Sequence, residues 1–180
     1  MKNGYAIRRV RREELDIAVE WAAQEGWNPG LYDADCFWAA DPQGWFMGWM
    51  NGQPVSCISA VKYDAKFGFI GLYIVKPEYR GQGYGWQIWQ RAMKYLGQRN
   101  IGLDGVVAQQ ENYKKSGFKL AYRNIRYQVS SIKYQAEDLG IISLDKIAFA
   151  EVAKYDRQVF PAQRDQFLKC WIVQPESRAV

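Results

Sequence analysis

Histidine is absent from all 180 residues. Its absence excludes every histidine-based triad and withdraws the commonest zinc ligand. Cysteine is scarce: Cys36, Cys57 and Cys170 are odd in number, far apart and free of any CxxC spacing. Neither a metal site nor a disulfide framework is expected from them. No apolar run is long enough to span a membrane, and the opening MKNGYAIRRV lacks the apolar segment of a signal peptide. The expectation is a reducing, cytoplasmic home and no membrane partner.

Charge of one sign is never gathered into a long run. The net charge is +5, yet Arg8, Arg9, Arg11 and Arg12 are followed at once by Glu13 and Glu14. Lys114, Lys115, Lys119, Arg123 and Arg126 would suit an anionic small molecule as well as nucleic acid, and a merely solvated surface is the plainer account. No nucleic-acid partner is expected.

What is present is ordinary globular material, 48% apolar and 24% charged, enough for one full domain with a real core. Aromatic residues reach 16%, with eight Trp. They furnish either a ring-rich core or an aromatic-walled cleft.

YAIRRV alternates and predicts a strand over 5–10. EELDIAVEWAAQ spaces Leu15, Ala18, Val19 and Ala22 as one helical face, so a helix is expected over 13–25. GWNPG is a turn, followed by a short helix near Asp33–Ala40 with Asp33 as its cap. Asn51-Gly52 suits a type I′ turn between runs over 45–50 and 54–63. A further turn leads into a third run, 67–75, completing an antiparallel meander. The helix over 83–97 should bury Trp89, Ala92, Met93 and Leu96. A strand LDGVVAQ, a helical turn QENYKKS and a last strand FKLAYRNIRYQV follow.

Between the meander and its helix stands IVKPEYRGQGYG. Pro77 stops the strand, while Gly81, Gly83 and Gly85 allow a backbone that gathers several N–H groups at a helix N-terminus. Such a loop binds phosphate; a tight turn without a ligand is the alternative. A Walker loop is excluded because GK[ST] is missing. GQGYG also lacks the third spaced glycine of the dinucleotide fingerprint.

V-x-P-x-Y-R-G-Q-G-Y-G after a meander strand resembles motif A of the GNAT superfamily of acyl-CoA-dependent N-acyltransferases. Arg80, Gly83 and Gly85 match its [RQ]-x-x-G-x-[GA] pattern. Tyr113-Lys114-Lys115-Ser116-Gly117-Phe118 is similar to the family's Y-x-x-x-G-F segment, and the order of elements agrees over about residues 5–129. The resemblance implies an α+β fold, with a central mixed, mostly antiparallel sheet flanked by helices. It implies a GNAT acetyltransferase domain over 1–130 and a helical C-terminal extension over 131–180.

The resemblance also implies roles. Backbone amides of Arg80, Gly81, Gln82, Gly83, Tyr84 and Gly85 would bind the pyrophosphate of coenzyme A. Ile74 and Val75 would pair with the pantetheine amides as an added strand would. Asn112 would contact the cofactor, and Tyr113 would give a proton to the departing thiolate; a ring packed under the sheet is the other reading of Tyr113. Many relatives carry a glutamate on the strand before the loop, but FGFIGLYIV has no carboxylate. Asp33, Asp35 and Glu111 remain, or a water chain past Tyr73, and no base is assigned.

Trp27, Tyr32, Phe37, Trp38 and Trp45 offer walls for an acceptor pocket, with Asp33 or Asp35 to attract an ammonium group. Helix packing explains Phe37 and Trp38 equally well. Residues 132–180 show helical spacing at Ile147, Phe149 and Val152, a break at Phe160-Pro161, and a second helix through Trp171. This piece resembles the start of a second, degenerate GNAT repeat; helices docked on the first domain, with homodimer contacts, are the favoured reading. The expected activity is acetyl transfer from acetyl-CoA, the one cosubstrate, to a primary amine of a small molecule or peptide, by direct attack in a ternary complex. A non-catalytic acyl-CoA sensor is the alternative, and a nucleic-acid-binding module a more distant one.

Overall fold

Period-two alternation and the Asn51-Gly52 turn make the sheet. The computed structural model describes residues 4–125, 127, 140–177 and 179–180. Among these, β1 (Tyr5–Arg9), β2 (Trp45–Met50), β3 (Gln53–Lys62) and β4 (Phe67–Val75) are antiparallel neighbours. β5 (Asn100–Leu103) joins β4 in parallel, so the sheet is mixed and mostly antiparallel, in the order β1-β2-β3-β4-β5. Asn51 and Gly52 both adopt positive φ, 49° and 77°, as a type I′ turn requires. Helices α1 (Leu15–Gln24), α2 (Asp33–Ala40), α3 (Tyr84–Leu96), α4 (Gln110–Lys115), α5 (Phe149–Val159) and α6 (Asp165–Trp171) complete an α+β fold.

The chain forms two compact units, Met1–Leu103 with Ser143–Val180, and Asp104–Ile142. In the first, successive residues of β2 serve opposite faces. Trp45 and Met47 enter a cluster with Leu15, Ala18, Trp21 and Ala22 of α1, while Phe46 meets Tyr95 of α3 edge-on at 5.5 Å. On α3, Trp89, Ala92 and Leu96 are buried as their spacing predicts; Met93 is half-buried, and Tyr84 and Ile88 lengthen the stripe. The C-terminal helices belong to this unit. Phe160, between α5 and α6, meets the rings of Tyr63, Phe67 and Phe69 at 5.0, 5.8 and 6.5 Å. Phe167 of α6 stacks on Phe37 of α2 at 6.4 Å.

Three expectations need correction. The fifth strand is Asn100–Leu103 rather than LDGVVAQ, because Asp104-Gly105 is a turn dipeptide and Val107–Gln109 forms a 3-10 turn. The described part of FKLAYRNIRYQV, residues 118–125 and 127, contains no strand; 126, 128 and 129 lie outside the described residues. A strand-like composition makes a strand only where packing and a ladder support it, and here Leu120, Tyr122, Ile125 and Tyr127 are exposed. Asp33 is the first residue of α2, not its cap. Its Oδ2 accepts the Gly30 N–H at 2.8 Å and so closes the entry turn instead.

The clustered arginines of the N-terminus have a structural task. Buried Glu14 accepts hydrogen bonds from Arg8 Nη1 and Nη2, both 2.7 Å, and from the Arg11 N–H and Nη2, both 2.9 Å. The Arg8 hydrogen bonds, foremost, lower its pKa to about 2. A depressed carboxylate stabilises the fold above its unfolded pKa and loses that contribution as pH falls toward 2. Glu14→Gln should therefore cost about 2 kcal/mol at pH 6 and almost nothing near pH 2, as measured by urea unfolding across that range.

Candidate functional site

β4 carries the site, and a bulge shapes it. Cys57 of β3 pairs with Ile74 and Ser59 with Gly71, so three steps on β4 oppose two on β3. Leu72 absorbs the extra residue at a φ of +41°, and the Cys57 thiol donates to its carbonyl at 3.2 Å. A bulge bends its strand and ends regular pairing nearby. β5 pairs only with Phe67–Ile70, and β4 runs on past it to Val75. Ile74 sends its side chain into the α1 cluster, while Val75 stays half-buried.

The chain then turns sharply. Pro77–Tyr79 form a 3-10 turn, Arg80 is extended, and α3 begins at Tyr84 with Gly83 as its N-cap. Gly81 and Gly83 sit at φ of +72° and +85°, where an added Cβ would meet nothing within 4 Å. They leave an open concavity of backbone at the start of a 13-residue helix with no acidic residue in its first turn. That is a cradle for an anion. Gly85 has a different task, because a Cβ there would lie 2.8 Å from Tyr73 Oη and 3.2 Å from Val75 Cγ2. It lets α3 press onto β4. Tyr73 in turn meets the Trp89 ring at 5.4 Å.

The side chains of this loop hold the loop. Arg80 Nε donates to the Val75 carbonyl at 2.7 Å, and its Nη2 pairs with Glu25 at the end of α1. Gln82 Nε2 donates to the Glu78 carbonyl at 3.0 Å. Tyr84 is buried, its ring 4.6 Å from that of Tyr5 and its carbonyl accepting from Tyr5 Oη at 3.3 Å. What this stretch offers a ligand is its backbone.

Of the residues expected to wall an acceptor pocket, Trp27 packs on the α1 cluster together with Phe37 and Trp38. Tyr32 Oη donates to Glu176 at 3.2 Å, and Asp33 Oδ1 accepts from Gln174 at 3.1 Å. The Gly30 N–H and Gln174 Nε2 that donate to Asp33 are both neutral, whereas Asp35 is paired with Arg12 at 2.6 Å. Sequence reasoning missed Glu25, Leu72 and the C-terminal partners of α2. None has a local signature.

In the second unit, the spacing of Tyr113 and Gly117-Phe118 has a physical reason. Gly117, at a φ of +90°, ends α4 in the left-handed region and swings Phe118 back. The Phe118 N–H then reaches the Tyr113 carbonyl at 3.2 Å, and the two rings meet edge-on at 6.4 Å. Burial raises the Tyr113 pKa. Asn112 is exposed, its Nδ2 donating to Gln109 at 2.7 Å, and Glu111 pairs with Lys114 at 2.7 Å. Among the described residues no cluster of acidic, cysteine or histidine side chains is arranged to hold a metal, and no helix is long and apolar enough to cross a membrane.

A mixed sheet with a bulged fourth strand thus leads through a glycine cradle into the N-terminus of α3. Residues 8–118 match the model of the Acetyltransferase (GNAT) family, and the chain belongs to that family. It is 36% identical over 160 residues to the holothin acyltransferase of a Pseudoalteromonas species, covering 88% of this chain and 54% of that protein. A Caenorhabditis elegans protein, F36G3.2, is 28% identical over 127 residues, covering 65% and 40%. The chain thus spans about half the length of the curated relatives it matches. Among solved structures, a candidate acetyltransferase from Pyrococcus horikoshii superposes with a TM-score of 0.81 at 22% identity, covering 99% of this chain and 64% of that one. Mycobacterium tuberculosis Rv2747, solved with CoA and NLQ, gives 0.54 at 16% identity, covering 65% and 73%. The family match ends at residue 118 and does not reach the resemblance of the C-terminal piece to a second repeat.

Proposed function

We propose that the protein transfers an acetyl group from acetyl-CoA to a primary amine of a small molecule or peptide. The observation that carries this reading is the cradle: Gly81 and Gly83 hold positive φ with open space where side chains would stand. The residues present fit a pyrophosphate. Backbone N–H groups of Arg80 to Gly85 would hold it, and Ile74 and Val75 lie on the part of β4 beyond β5 that suits pairing with an extended amide chain. Bound acetyl-CoA supplies an activated acyl carbon as its thioester. In the second unit, the family resemblance gives Tyr113 the role of proton donor to the departing sulfur and Asn112 that of a polar contact for the cofactor. Tyr32 and Asp33, with Trp27 and Tyr73, make the acceptor side, where the Asp33 carboxylate attracts an ammonium group. The relative named for acyl transfer to holothin and the neighbour solved with CoA support the same chemistry.

Saturating acetyl-CoA should raise the melting temperature, since ligand at a hundred times its Kd stabilises by about 2.7 kcal/mol. Gly83→Val should abolish that rise, because the side chain fills the cradle. The variant itself should lose about 1–2 kcal/mol through its left-handed backbone. A rise of equal size in the variant would place the cofactor elsewhere. The absence of a carboxylate from Phe67–Val75 favours a second reading, a non-catalytic acyl-CoA sensor. Stabilisation by acetyl-CoA without thiol release over a broad amine panel would select it.

A further inference from the structure

Cys36 and Cys170 stand 134 residues apart in sequence, yet their sulfurs lie 3.1 Å apart. Cys36 is buried on α2, and Cys170 is half-buried on α6. The remaining thiol, Cys57, is buried within the sheet and bonded to the Leu72 carbonyl. The separation of the pair exceeds a disulfide bond by roughly 1 Å, a gap that small side-chain rotations and a slight helix tilt can close. Gln174 Nε2 holds the arrangement from the C-terminal side, donating to Cys36 Sγ at 3.1 Å and to Asp33 Oδ1 at 3.1 Å.

We propose that Cys36 and Cys170 are a redox modification site, at which a low-molecular-weight disulfide such as oxidised glutathione converts the two thiols into an intramolecular bond fastening α6 to α2. Access sets the order of events. Burial, foremost, pushes the Cys36 thiol up to about 12, so the more accessible Cys170 reacts first. Its thiolate attacks one sulfur of the small disulfide, breaking that S–S bond and releasing one small thiolate. Cys36 then gives up its proton, and its sulfur attacks Cys170 Sγ, expelling the second small thiolate. The protein loses two electrons and two protons, and the small disulfide becomes two thiols. The product also fixes the segment bearing Gln174 and Glu176 against Asp33 and Tyr32. The proposal does not depend on the acyl-transfer reading.

The test is oxidation of the full chain with excess oxidised glutathione, followed by alkylation of the remaining thiols and non-reducing peptide mapping. Free thiols should fall from three to one, with a Cys36–Cys170 peptide recovered and released by dithiothreitol. The loop closed is long, so the melting temperature should rise by about 5–10 °C on oxidation and return on reduction. Cys170→Ala should show neither the linked peptide nor the rise. A persistent glutathione adduct on Cys170 beside a reduced Cys36 would overturn the proposal. So would a bond between two chains, a bond involving Cys57, or no thiol loss at all. A Cys36–Cys170 bond that leaves the melting temperature unchanged would overturn the fastening of α6.

Discussion

Tyr113→Phe is expected to lower kcat by ~10²–10⁴-fold while leaving the affinity for acetyl-CoA nearly unchanged. The substitution keeps the ring that meets Phe118 edge-on at 6.4 Å and removes only the hydroxyl. A proton delivered as the thiolate departs matters in the transition state, so the loss should fall on kcat and not on KM. The pH profile provides a second check. Burial raises the tyrosine pKa, so the phenol keeps its proton past the ordinary value near 10. The alkaline fall in rate should begin above that value in the native protein and vanish in the Phe variant. Wild-type turnover by Tyr113→Phe, on a substrate whose chemistry is rate-limiting, would reduce Tyr113 to a packing residue.

Phe160→Ala should destabilise the protein by about 2–3 kcal/mol, somewhat under the full core value because the ring is only half-buried. The ring meets Tyr63, Phe67 and Phe69 of the sheet unit, and the Arg164 guanidinium lies 4.1 Å from its centroid. Arg164 is itself held by Asp156 at 2.6 Å. Removing the ring thus strips an apolar contact and a cation–π partner together. A lower midpoint in urea with an unchanged slope is the expected result. An unchanged midpoint would mean that the Phe160 ring contributes nothing to stability.

Elements whose cause is local were legible in the sequence. The bounds 67–75 for β4 and Asp33–Ala40 for α2 agree with those observed, because apolar run length and turn residues decide them. Asn51-Gly52 was legible for the same reason: its backbone preference is intrinsic. The glycine cradle could be read as a backbone device, although Gly85 proves to serve helix packing on Tyr73 and Val75. Features set by distant partners were not legible. Glu25 looks like any helix-terminal acid until Arg80 reaches it from 55 residues away. Cys36 and Cys170 look unrelated until α6 lies on α2. Residues 118–125 misled because a strand-like composition does not by itself form a ladder.

The bulge at Leu72 also inverts phase. In an uninterrupted strand Ile70 and Ile74, four residues apart, would share a face. Here Ile70 pairs with Ala60 and Ile74 with Cys57, and those partners, three apart on β3, point to opposite sides. Residues 67–71 and residues 73–75 therefore obey opposite parity rules, and one strand supplies buried isoleucines to both layers of the unit. A hydrophobicity pattern read along β4 with a single period misassigns one of its two ends. Removing the one residue at 72 would leave Ile70 and Ile74 three apart, so a regular ladder would keep them on their opposite faces and only the bend before the cradle would be lost.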